Sequence, residues 1–123
     1  MGSKVRSWFE KMQRLGEADI PALSVAGRML TPREVLQHAE ANDKIWQMIK
    51  KQYPDLDPQE FPEELLKERI KRKYEAGKLL PVYFMGRPHI LTPEQQLKEI
   101  EAGTEIGKKL LEAEKKLLQE LMR

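Results

Sequence analysis

Ile20-Pro21-Ala22-Leu23-Ser24-Val25-Ala26-Gly27-Arg28-Met29-Leu30-Thr31-Pro32 and Leu80-Pro81-Val82-Tyr83-Phe84-Met85-Gly86-Arg87-Pro88-His89-Ile90-Leu91-Thr92-Pro93 read as two versions of one pattern. Each runs from a short apolar stretch through a Gly-Arg turn to a second apolar stretch, then Thr-Pro. The match extends outward. Gly16, Thr31, Pro32, Leu36, Glu40 and Ile45 recur 61 residues later as Gly77, Thr92, Pro93, Leu97, Glu101 and Ile106. Self-similarity at a fixed spacing bears on architecture before any local propensity does.

Each version predicts a small hairpin followed by a helix. Thr31 and Thr92 are favourable N-caps, Pro32 and Pro93 suit the first helical position, and Glu34 stands at capping-box distance. Asn42 aligns with Gly103, and both types tolerate the left-handed conformation that closes a helix. Asp43 aligns with Thr104, both good caps for a new one. The expectation is two consecutive helices per version, broken near 42–43 and 103–104. Upstream, Val5, Trp8, Phe9, Met12 and Leu15 share one face of a first helix that Gly16 ends.

The fold class expected is mainly α with a small β component, an internally duplicated helix–hairpin–helix–helix unit about a pseudo-twofold axis. Residues 1–53 form the first repeat, the Pro- and acid-rich segment 54–61 a linker, and 62–123 the second repeat with an extended C-terminal helix, together one domain. An isolated hairpin is marginal in water, so the two hairpins are expected to share one antiparallel sheet. The expected common core is Trp8, Phe9, Leu23, Val25, Leu36, Ile45, Trp46 and Ile49, joined by Leu66, Ile70, Tyr83, Ile90, Leu97, Ile100 and Ile106.

Composition narrows the function classes. The 123 residues include 34% charged residues of both signs, a net charge of +2 and no cysteine. Mean hydropathy is −0.66 and the pI 8.8. Disulfides, thiolate metal sites and cysteine nucleophiles are excluded, and the charge is weak for a DNA-coating protein. No apolar run reaches the roughly 18 residues of a spanning helix, and no secretory leader is apparent. These features predict a soluble intracellular, cytoplasmic protein.

The catalytic case is thin. His38 and His89 occupy unmatched positions and belong to no metal spacing. Ser3, Ser7 and Ser24 lack a nucleophile-elbow context, and the glycines are scattered singly. No catalytic residue, metal, cofactor or small-molecule substrate is inferred; a carboxylate–His site near His38 or His89 is the remaining enzymatic alternative.

The C-terminal helix is the candidate contact element. Leu110, Leu111, Leu117, Leu118, Leu121 and Met122 form an apolar stripe between charged residues, with Glu114 and Gly107 interrupting any coiled-coil seam. Continued back to Pro93, the helix would overhang a domain of this size and dock on a protein partner or a second copy; the alternative is a helix packed on its own core. The expected function is a non-catalytic adaptor or assembly subunit. A second reading is a nucleic-acid-associated protein: Lys67, Lys71, Arg72 and Lys73 crowd one helix, and Arg28 and Arg87 sit at matched turn tips able to grip phosphates. Trp8 and Phe9 among Lys4, Arg6, Lys11 and Arg14 resemble a membrane-surface anchor, but their expected place is the core.

Overall fold

The computed structural model of the chain describes residues 2–56, 61–83 and 90–122. The first half holds α1 (Gly2–Arg14), β1 (Leu23–Val25), β2 (Arg28–Leu30), α2 (Pro32–Ala41) and α3 (Lys44–Gln52). A short 3-10 turn over Pro54–Leu56 precedes α4 (Glu63–Glu75), β3 (Val82–Tyr83), β4 (Ile90–Leu91), α5 (Pro93–Ala102) and α6 (Glu105–Met122). The class is mainly α with a small β component, and the order helix, hairpin, helix, helix occurs in both halves.

Local chemistry sets the helix ends. Thr31 Oγ1 accepts from the Glu34 N–H at 3.2 Å while Glu34 Oε1 accepts from the Thr31 N–H at 2.9 Å. Thr92 and Gln95 make the same reciprocal pair at 3.2 and 2.9 Å. Such boxes satisfy backbone donors that a helix start leaves without partners. Asn42 (φ 49°) closes α2 and Gly103 (φ 67°) closes α5, both left-handed. Asp43 then accepts from the Trp46 N–H at 3.0 Å, and Thr104 Oγ1 from the Gly107 N–H at 3.1 Å. The helices therefore break where the aligned pairs place the breaks.

Two expectations need correction. Among the described residues the hairpins do not share a sheet: β1 pairs with β2 and β3 with β4, each antiparallel. Tyr83 and Ile90 are not core residues but stand exposed. Leu56 and Phe61, on either side of residues 57–60, are buried in the same core as both halves. The other expected core residues are buried or half-buried. That core runs from Val5, Met12, Leu23 and Ile49 to Leu65, Ile70, Ile100 and Leu118.

The halves pack differently. A Cβ at Gly107 would lie 2.2 Å from the Glu99 carbonyl oxygen and 2.9 Å from the Ile100 Cα. The missing side chain is what lets α6 lie directly against α5. The residue 61 positions earlier is Trp46, a buried indole, so α3 cannot approach α2 in that way.

Candidate interaction surface

The break at Gly103 folds α6 back on α5, so no helix overhangs. Leu110, Leu111, Leu118, Leu121 and Met122 are all buried in the chain's own core, and Leu117 alone of the stripe is exposed. Close approach at Gly107 presses the stripe inward. At Glu114 the stripe carries a charge because the charge has partners inside.

Those partners occupy the expected basic helix. Arg69 of α4 is completely buried; its Nη1 donates to the Pro21 carbonyl at 2.8 Å and its Nη2 to Glu17. Lys73, one turn later, donates to both Glu114 oxygens at 2.6 and 2.9 Å and lies 3.7 Å from Glu17. Arg69 Nη2 is 3.9 Å from Glu114. Two acids and two bases thus form a neutral buried cluster joining the α1–β1 connection, α4 and α6. Such a cluster costs several kcal/mol per ion in lost hydration, on the order of what its attractions return. At the positions 61 residues earlier than Arg69, Lys73 and Glu114 stand Trp8, Met12 and Tyr53, all buried in the core. The sequence signal for the cluster is an arginine beside Leu65, Leu66 and Ile70 and a glutamate inside the leucine stripe, charges where the helical period calls for apolar residues.

The candidate phosphate contacts are dispersed by these pairings. Lys73 is drawn inward, Lys67 lies 3.5 Å from Glu63, and Arg72 Nε donates to Glu68 at 2.9 Å. Lys71 and Arg28 are exposed; Arg87 and its turn lie outside the described residues. His38 serves a helix junction: its Nδ1 is 2.6 Å from Asp43 Oδ2. That hydrogen bond, with the Trp46 N–H, holds the Asp43 carboxyl below the ordinary carboxylate value. Thr104 Oγ1 donates to Glu99 at 3.1 Å across the α5–α6 junction. His89 lies outside the described residues. Among the described residues no three His, Asp or Glu are grouped to hold a metal ion, and no helix is long and apolar enough to cross a membrane.

The two hairpins present opposite surfaces. On the first, Leu23, Val25 and Leu30 are buried, and α3 closes over β1: the Tyr53 hydroxyl donates to the Ser24 carbonyl at 2.7 Å and Gln52 Nε2 to the same oxygen at 3.2 Å. Burial pushes the Tyr53 phenol above its ordinary value, against the hydrogen bonds it makes. In the second half the matching positions are Ala113 and Glu114, which offer no such clasp. There Gln96 Nε2 holds the hairpin base through the Leu80 and Leu91 carbonyls at 2.8 and 3.3 Å. Beyond that tie, Tyr83 stands opposite Ile90, and the two are 64% and 57% exposed, with Leu80 73% exposed. Comparison of the chain with protein-family models, curated proteins and solved structures found no match.

Proposed function

We propose that the chain is a non-catalytic assembly subunit that joins a second copy of itself through the uncovered β3–β4 hairpin. The observation that carries this reading is the exposure of the paired Tyr83 and Ile90, with Leu80 exposed just before β3, on a hairpin whose ladder among the described residues is two residue pairs long. Exposed apolar groups gathered in one place mark contact surfaces, and a two-stranded ladder of this length is marginal in water. A second hairpin related by a twofold axis supplies both needs at once, the self-matching arrangement of most soluble dimers. The partner surface thus moves from the C-terminal leucines, which serve the core, to the hairpin. Phosphate binding has less support, since Lys73 is withdrawn and Lys67 and Arg72 are held by glutamates.

Light scattering on the purified protein tests the proposal. The expected particle is 28.8 kDa, twice the 14.4 kDa chain, reverting to one chain when Tyr83→Ser and Ile90→Ser are combined. A single chain at every concentration, or a dimer indifferent to the double substitution, sinks it.

A further inference from the structure

We infer that the groove between α4 and α5 is a docking site for a basic amphipathic helix of another protein. The groove encloses about 470 Å³ over a floor made by Met29, Tyr74, Leu97 and Ile100. Its rim carries Glu64 and Glu75 from α4, Glu101 from α5, and Lys71. The remaining charged wall residues are neutralised along α4 itself, Lys67 by Glu63 and Glu68 by Arg72. Glu64, Glu75, Glu101 and Lys71 make no ion pair among the described residues. Three carboxylates against one ammonium leave a rim of charge −2 on a chain whose total is +2. The acidity is local to the groove.

Its dimensions select the ligand class. Glu64 and Glu75 are eleven residues apart on α4, ~16 Å at the α-helical rise, or about three turns. A small ligand filling the floor would leave carboxylates at the two ends without a counterion. A helix of three or more turns meets all of them, with apolar anchors at i, i+3, i+4 and i+7 on the floor and lysine or arginine along both flanks. Met29 is suited to such a floor, because a thioether on three rotatable bonds adapts to irregular shapes. This site is on different elements from the β3–β4 hairpin and does not depend on self-association.

The probe is a fluorescein-labelled synthetic helix with leucine at the anchor spacing and lysine on its flanks, beside the same helix with glutamate flanks. Both are titrated by fluorescence anisotropy into the intact protein and into the Tyr83→Ser/Ile90→Ser variant, so that groove binding and hairpin pairing fail separately. Amide shifts in the nuclear magnetic resonance spectrum locate the contact. The expected result is saturable binding of the lysine helix, at least tenfold tighter than the glutamate helix, with shifts centred on Met29, Tyr74, Leu97 and Ile100. Combining Glu64→Lys, Glu75→Lys and Glu101→Lys, with the circular dichroism spectrum unchanged, is expected to reverse the preference. No saturable binding, equal affinity for the two helices, shifts centred elsewhere, or a preference the triple variant retains would each overturn the assignment.

Discussion

Gly107→Ala sets two well-characterised effects against each other, and the structure decides the sign. In an isolated helix, alanine in place of glycine is favourable by up to ~1 kcal/mol. Here the new methyl carbon would sit 2.2 Å from the Glu99 carbonyl oxygen and 2.7 Å from the Glu99 carbonyl carbon, both backbone atoms with no rotamer to retreat into. Ordinary contact begins at 3.4 Å, so α5 and α6 must part by about 1.2 Å at their closest point. A gap of ~0.5–1 Å already forfeits a quarter to a half of each dispersion contact, and Leu110 and Leu111 lie within the next turn of α6. Overpacking of this kind costs up to ~3 kcal/mol, which leaves a net loss of about 2 kcal/mol after the helix-propensity gain. Urea denaturation followed by circular dichroism at 222 nm measures it. Gly103→Ala is the comparison: its Cβ meets nothing within 4 Å, so only left-handed strain of ~1–2 kcal/mol applies. A Gly107→Ala protein as stable as the parent, or more stable, refutes the close approach and with it the inward seating of the leucine stripe.

Arg69→Met leaves Glu17 and the Pro21 carbonyl without their buried donor; the expected loss is ~3–5 kcal/mol in the urea midpoint, and a loss under ~1 kcal/mol would contradict a buried, paired arginine. Thr31→Ala and Thr92→Ala each remove one half of a capping box and should cost ~1 kcal/mol apiece in thermal melts, the two values agreeing because the hydrogen bonds do. The ionisation present in the parent but missing from Tyr53→Phe, read from absorbance at 295 nm, should lie above the ordinary phenol value of ~10. A raised folded-state value means that this contribution to stability is complete below ~pH 10 and is lost as pH rises through the folded value; an ionisation at or below ~10 contradicts the buried hydroxyl.

Features decided by neighbours in the chain were legible in the sequence. Thr31 and Thr92 cap their helices through residues three positions away, and Asn42 and Gly103 close theirs through their own backbone freedom, so the helix breaks could be read locally. The hairpins were legible as hairpins. Their pairing was not, because the choice between one shared sheet and two separate ladders depends on where α3 and α6 settle. Tyr83 and Ile90 have the composition of core residues, and among the described residues no clasp like that of Tyr53 covers them. The seating of the leucine stripe was hidden for a related reason. Gly107 and Glu114 looked like defects in a docking surface, whereas one admits α5 and the other answers Lys73. The groove over Leu97 and Ile100 arises from three elements distant in sequence and had no local signature.

The buried charges draw their members from both sides of the 54–61 segment: Glu17 and the Pro21 carbonyl come before it, Arg69, Lys73 and Glu114 after it. Severed there, the piece spanning 62–123 would turn two cations and a single anion toward its own inner wall. Pressing two such pieces together would deepen the imbalance instead of cancelling it, while the piece spanning 1–53 brings the missing glutamate. The cluster therefore works as a lock between unlike parts, and a cleaved chain would be expected to rebuild itself only from one of each.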